Sequence, residues 1–203
     1  MGFYSRVIIP TVMDWTMGGA EISAYRQALL GDLAGTVLEI GVGTGLNLAH
    51  YPETVTSLTT IDANPGMSRR ARARLAALDC PTQHRVLNGE TLPMAAASFD
   101  HVVSTWTLCS IAQVEQALAE IRRVLKPGGQ FHFMEHGLSD RPAVQTWQHR
   151  LTPLQKIIAD GCHLDRAIPE LIATQFSNAA IEPFNIPSLP EIVGYTYKGV
   201  ATK

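Results

Sequence analysis

The sequence predicts an α/β fold, a doubly wound sheet organised around one nucleotide-binding unit. Two observations carry that expectation. Residues 36–47 read as an apolar run (Val37, Leu38, Ile40) followed at once by Gly41, Gly43 and Gly45. Such a run is dense enough for a buried parallel strand, and the glycines supply a turn that a ligand can approach closely. Further along, short apolar runs alternate with helical patterns, the signature of parallel strands joined by crossover helices.

The elements follow in order. Residues 46–50 are expected to open a helix whose first N–H groups face the ligand. Strands are expected at 57–61, 84–87, 98–104 and 130–134, with an amphipathic helix over 111–125 stopped by Lys126-Pro127-Gly128-Gly129. A helix over 21–30 precedes the first strand. Ahead of it, Phe3, Val7, Ile8, Val12, Trp15 and Met17 recur at helical spacing around Pro10. That segment reads either as a helix packed on the core or as a lid that brings Tyr4 near a reacting centre. Contact with a membrane surface is a third reading, weakened because Arg6 is its one cation.

Two details select the nucleotide. A dinucleotide fingerprint needs Gly-x-Gly-x-x-Gly, and here the third glycine comes one residue early, with Leu46 in its expected place. Glu39, two residues before the first glycine, repels a pyrophosphate and suits a cationic amino-acid end. Asp62, at the tip of the second strand, is placed to bond ribose hydroxyls or to assist the cap formed by Asn64 and Pro65. Four arginines (Arg69, Arg70, Arg72, Arg74) on the next helix read as a solvated face.

The glycine stretch resembles motif I of the class I methyltransferases that use S-adenosylmethionine (SAM). Phe99-Asp100-His101-Val102-Val103, then Arg123-Val124-Leu125-Lys126-Pro127-Gly128-Gly129, is similar to the group containing the ubiquinone and menaquinone C-methyltransferases. A narrower likeness runs through Phe133-Met134-Glu135-His136, Asp160-Gly161-Cys162-His163-Leu164 and Gly194-Tyr195-Thr196-Tyr197-Lys198-Gly199, which resemble a methyltransferase-like branch that methylates small alkyl thiols on sulfur. The front end is expected to depart from that branch, whose best-known members carry a hydrophobic membrane anchor there.

The resemblance implies a single Rossmann-like domain over 36–203, behind a helical cap over 1–35. Its sheet is mostly parallel and seven-stranded, with an antiparallel last strand and helices on both faces. It implies SAM as cofactor, held by Glu39, Gly41, Gly43, Gly45, Asp62, Ala63, Asn88, Gly89, Glu90, Thr105 and Trp106. His136 and Asp160, with Tyr4 from the cap, are the implied catalytic residues, and the partner is a small-molecule acceptor.

Other classes fit less well. The 203-residue chain is 46% hydrophobic and 17% charged, an ordinary globular composition. A net charge of −2 gives nucleic acid no bulk attraction. Three scattered cysteines (Cys80, Cys109, Cys162) suit a reducing cytoplasm, and no apolar run spans a bilayer. His136, Cys162 and His163 with Glu135 or Asp160 have no zinc spacing, so no metal is expected. Cys109 reads as a small buried hydrophobe; Cys162 reads as part of a turn, with covalent catalysis the rarer use. Trp15, Trp106 and Trp147 are candidates for excluding water, or simply core. A nicotinamide oxidoreductase and a catalytically idle SAM-binding module are the competing functions.

Overall fold

The computed structural model describes residues 7–203. Phe3 and Tyr4 lie outside the described residues. Two helices, α1 (Ile9–Met17) and α2 (Ala20–Leu30), lead into β1 (Gly35–Ile40). There follow β2 (Val55–Asp62), α3 (Pro65–Leu75), β3 (Thr82–Val86), β4 (Phe99–Thr105), α4 (Val114–Val124) and β5 (Leu125–His136). The chain ends with α5 (Pro142–Ile158), α6 (Ile168–Ala173), β6 (Asn178–Asn185), the short α7 (Glu191–Gly194) and β7 (Tyr195–Thr202).

The seven strands lie in the order β3-β2-β1-β4-β5-β7-β6. Strands β1 to β5 pair in parallel, and β7 runs antiparallel between β5 and β6. Strand order reverses beside β1, so the crevice for a ligand opens at the carboxyl ends of β1 and β4. Side chains alternate across the sheet, and the two faces accordingly carry separate cores. Leu38, Ile40, Val102, Phe131 and Phe133 pack on one face with Leu118 and Ile121 of α4. Val37, Leu58 and Val103 pack on the other with Leu30 of α2 and Ala71 of α3.

Several expected elements change shape. The helix expected at 46–50 is only a 3₁₀ turn, Leu48–His50, ended by the extended Tyr51 before Pro52. The crossover helix α4 begins at Val114, and its buried residues Ala117, Leu118, Ile121 and Val124 form one stripe. Beyond it the chain does not stop before the next strand. Leu125 already pairs with Phe99, Lys126 to Gly129 bulge out, and pairing resumes at Gln130 opposite His101. The seven strands are as expected, but no stretch of the sequence marks where β6 lies.

The front segment is also corrected. Pro10 sits in the first turn of α1 rather than interrupting it, a position that has no N–H to lose. Trp15 is 85% exposed and Trp147 is 50% exposed, so neither is core. The arginine cluster is no mere solvated face. Arg70 and Arg74 reach Asp14 of α1 at 2.7 and 3.0 Å, Arg70 also bonds the Pro10 carbonyl, and Arg74 bonds the Thr44 carbonyl at 2.6 Å. Asp14 in turn accepts from the Thr44 hydroxyl of the glycine loop. The latch thus ties α1, α3 and the glycine loop together.

These ion pairs are half exposed, so each contributes at most about 1 kcal/mol. Asp14→Asn should therefore speed amide exchange over α1 by up to roughly tenfold while leaving the global melting temperature nearly unchanged. Hydrogen-exchange mass spectrometry checks this; α1 protection equal to wild type would show that the latch does not hold the helix.

Candidate active site

The glycine loop takes its form from the groups around it. Gly41 has φ +72°, and an added Cβ would fall 2.0 Å from the Thr107 hydroxyl, so only glycine fits under the loop that follows β4. Gly43, at φ +58°, donates its N–H to Asp62 at 2.8 Å, and a Cβ there would meet nothing nearer than 3.9 Å. The loop is thus held from behind and open in front. Gly45 packs inward against Leu48 and Ala71 and shapes the loop instead of lining the crevice.

Behind the loop lies a buried polar knot. Glu39 accepts hydrogen bonds from Asn47 at 2.8 Å and from the Tyr51 hydroxyl at 2.9 Å. Asn47 also donates to Thr105 at the end of β4, 3.0 Å away. Burial pushes the Glu39 carboxyl up to about 7 against the pull of these bonds and of Arg26. With both oxygens engaged and 1% exposure, Glu39 does not itself reach the crevice. The expected direct contact with a cationic group is absent from this geometry; the carboxylate organises the loop.

Arg26 is the residue that sequence reasoning missed. It is buried on α2 with Ile22 and Leu30, and its guanidinium lies 4.8 Å from the Trp106 ring centroid. Burial lowers its pKa to about 10, with Glu39 opposing the shift. Its Nε and Nη1 have no hydrogen-bond partner among the described residues, and it faces a cleft shared with Gly43, Thr44 and Asn47. The available signal was a cation at i, i+4 spacing on an otherwise apolar stripe.

In front of the loop is a cavity of about 520 Å³. The strand tips supply Gly41, Asp62, Ala63, Thr105, Trp106 and His136, and the segment after β3 supplies Asn88, Gly89 and Glu90. Met13, Thr16 and Met17 of α1 roof it, and Ile158 to Asp160 at the end of α5 close the far side. Asp62 accepts from the Gly43 and Asn64 backbones at 2.8 and 2.7 Å, and burial raises its pKa. Asn64 caps α3 by accepting from the Gly66 N–H, and Asp62 accepts from the Asn64 N–H, so the capping arrangement is present. Asn88 is exposed and bonds Glu90 at 3.4 Å, which in turn accepts the Gln113 N–H.

The two expected catalytic residues share this cavity but belong to different neighbourhoods. His136 stands beside Trp106, ring centroids 6.3 Å apart, with its Nδ1 buried and without a partner among the described residues. Burial lowers its pKa to about 4, so the ring is neutral at neutral pH. Asp160 is exposed, in a left-handed backbone conformation (φ +50°), and accepts from Asn64 at 3.3 Å. It therefore belongs to the β2 tip. Glu135 faces away from the cavity and is held by Ser104 at 2.7 Å. Among the described residues, no three His, Cys, Asp or Glu side chains are arranged to hold a metal.

Comparison with known proteins agrees with this geometry. A family model described as "Methyltransferase domain" matches residues 38–133. The chain is 37% identical to the thiol S-methyltransferase TMT1B of Rattus norvegicus over 174 residues, covering 80% of this chain and 70% of that one. The chain belongs to the class I SAM-dependent methyltransferases. The phosphatidylethanolamine N-methyltransferase of Cereibacter sphaeroides is 28% identical over 166 residues, 80% of each chain. A Haemonchus contortus phosphoethanolamine N-methyltransferase, solved with S-adenosylhomocysteine, shares the fold with a TM-score of 0.74 at 16% identity, covering 96% of this chain and 57% of that one.

The methyltransferase cofactor is SAM, and the residues present fit it. The open face of Gly43, and Asn47 Oδ1 with Arg26 Nε and Nη1, which have no partner among the described residues, all lie around the loop. Removing Arg26 should cost one charge-assisted interaction of about 1.5–3 kcal/mol. Arg26→Met is therefore expected to weaken S-adenosylhomocysteine binding roughly 10- to 100-fold by calorimetry in a folded protein. Unchanged affinity would remove Arg26 from the cofactor site.

Proposed function

We propose that this methyltransferase transfers the methyl group of SAM to the sulfur of a small hydrophobic thiol. The observation that carries the reading is the character of the cavity wall: among the described residues lining it there is no lysine or arginine. A phosphorylated headgroup would find no cation there to neutralise it. Met13, Met17, Ile111 and Ile158 instead offer apolar surface, and the likeness to the thiol S-methyltransferases extends over most of the chain.

When bound, SAM supplies an electrophilic methyl on a sulfonium. The chain's own residues then have three tasks. Arg26 takes the carboxylate of the amino-acid end, braced by Glu39. Asp62 and Ala63 take the ribose, because each carboxylate oxygen of Asp62 has lone pairs beyond its backbone bonds. Asn88, Gly89 and Glu90 border the base, while Thr105 and Trp106 flank the reacting end. Positioning of this kind accounts for about 7–11 kcal/mol of barrier lowering in well-oriented systems. His136, neutral and with Nδ1 unpartnered among the described residues, orients the thiol and excludes water with Trp106. Asp160 closes the wall near the ribose side. Helix α1, through Met13, Thr16 and Met17, covers the acceptor.

A thiolate loses its charge as it attacks a sulfonium, so an apolar wall favours the transition state over the ion pair. No strong base is required, since thiols near pKa 8.5 are partly ionised at neutral pH. The sign of the pH effect follows from His136. With a pKa near 4 it has lost its charge long before neutrality, so it adds no step between pH 6 and 9. The methyl-transfer rate should rise with pH toward the pKa of the thiol, and the midpoint should move when a more acidic thiol is used. A midpoint that stays fixed across thiols would assign the titration to the protein and oppose thiolate attack.

A second reading is favoured by Asp62 and Asp160, which face the cavity as carboxylates that an amine acceptor could pair with. Labelled SAM offered to a panel of alkyl thiols, ethanolamine lipids and quinols separates the two. Label in thioethers supports the sulfur acceptor. Label confined to amines or quinols overturns it and leaves the methyltransferase assignment intact.

A further inference from the structure

Two cysteines on the cavity wall are not used by the transfer described above. Cys109 follows β4 in the turn closed by the Ser110 N–H bond to the Thr107 carbonyl. Cys162 follows α5, after Asp160 and Gly161, whose φ angles of +50° and +97° turn the chain back toward the sheet. They are separated by 53 positions, yet their sulfurs are 3.5 Å apart and linked by a hydrogen bond. Both are buried, at 1% and 5% exposure, and both line the cavity.

Their closeness is built in by the backbone. The His163 N–H donates to the Cys109 carbonyl at 2.9 Å. Arg166 reaches across and donates to the carbonyls of Leu108 and Ile111, on either side of Cys109. Gly161 allows the approach, since an added Cβ would lie 3.2 Å from the Ser110 carbonyl oxygen. Two segments far apart in the chain are thus clamped with their thiols face to face. The two thiols are also unequal. Contact with Cys109 draws the Cys162 thiol below its ordinary pKa, while the same contact and burial push Cys109 well above. Cys162 is also the more exposed of the two at the cavity, which suits it as nucleophile with Cys109 as the resolving thiol.

We propose that Cys109 and Cys162 form a reversible disulfide across the cavity wall, and that this bond throttles methyl transfer. The oxidant is a hydroperoxide small enough to enter the cavity. The Cys162 thiolate attacks one peroxide oxygen, the O–O bond breaks, and the sulfur is oxidised to a sulfenic acid while the peroxide is reduced and leaves as water. The Cys109 sulfur then attacks the sulfenic sulfur. The S–S bond forms, the S–O bond breaks, and a second water leaves with the Cys109 proton. Two thiols and one hydrogen peroxide become one disulfide and two waters, and a dithiol reductant reverses the change. A disulfide holds its sulfurs near 2.05 Å, so the 3.5 Å pair must close by about 1.5 Å. That motion draws the segment after β4, which carries Ser110 and Ile111, onto the turn that carries Asp160. Because a displacement near 1 Å in a positioned site can cost up to about 10²-fold, turnover should fall roughly tenfold or more.

The inference rests on the methyltransferase activity of the cavity and not on a sulfur acceptor. Its test uses the full chain treated with hydrogen peroxide, free of reductant. The expected result is an intact mass lower by two hydrogens, a cross-linked peptide containing Cys109 and Cys162, and Cys80 still open to alkylation after denaturation. Turnover on any accepted substrate should fall with the cross-link and return with dithiothreitol. In Cys162→Ser and in Cys109→Ser, the ratio of peroxide-treated to untreated turnover should stay near one, whatever the basal rate of each variant. Three results would overturn the proposal: both thiols still free after peroxide treatment, a sulfinic acid on Cys162 without a bridge, or a bridge that leaves turnover unchanged. The cross-link is read by mass alone, so a wrong acceptor assignment does not obscure it.

Discussion

The buried carboxyl of Glu39 is the interaction on which the site depends. It sits at the end of the central strand β1, beneath a loop whose glycines cannot hold a shape by their own side chains. Asn47 and Tyr51 close on it from the far side of that loop, and Asn47 carries the linkage on to Thr105 at the tip of β4. One carboxyl therefore couples the glycine loop to the neighbouring strand across the crevice. Arg26 supplies the compensating charge from α2, and its Nε and Nη1, facing the loop, have no partner among the described residues. A buried acid left without these partners would be strongly destabilising, which is why the same group that shapes the loop must be so fully bonded.

The strand tips carry a consistent electrostatic pattern. Burial holds Glu39 and Glu135 near pKa 7, above the ordinary 4.5, so their contribution to stability is complete below about 4.5 and is lost as pH rises to about 7. His132 and His136 are held near 4, below the ordinary 6.5, so theirs is complete above 6.5 and is lost as pH falls toward 4. The two sets oppose each other across the mildly acidic range. Along the cavity wall the described residues combine apolar side chains and a neutral imidazole with the carboxyls of Asp62, Glu90 and Asp160, and include no lysine or arginine. Within the described residues no helix is long and apolar enough to cross a membrane.

Most of the architecture was legible because it rests on local pattern. The run Val37-Leu38-Glu39-Ile40 followed by spaced glycines, and Asp62 at the next strand tip, identify the unit without reference to distant contacts. Strand β6 was not legible, since Asn178–Asn185 is an edge strand with mixed exposure and a proline at position 183, where no outward ladder bond is needed. The cavity lining was legible where a residue's place follows from a strand tip, as with Thr105, Trp106 and His136. It failed where the role depends on packing between elements. Arg26, the Asp14 latch and the meeting of Cys109 with Cys162 each join segments distant in sequence, and Glu39 was read as a ligand contact because its partners Asn47 and Tyr51 lie on a turn with no periodicity.

The most direct measurement is calorimetric binding of S-adenosylhomocysteine to a Glu39→Gln variant shown by circular dichroism to be folded. The amide keeps the volume but offers a donor where both neighbours also donate, so the loop loses its brace while the core keeps its packing. The account predicts a native-like spectrum with binding weakened at least about tenfold, the loss of one charged hydrogen bond. Affinity equal to wild type in the folded variant would contradict it, and would mean that the glycine loop keeps its shape without the buried carboxylate.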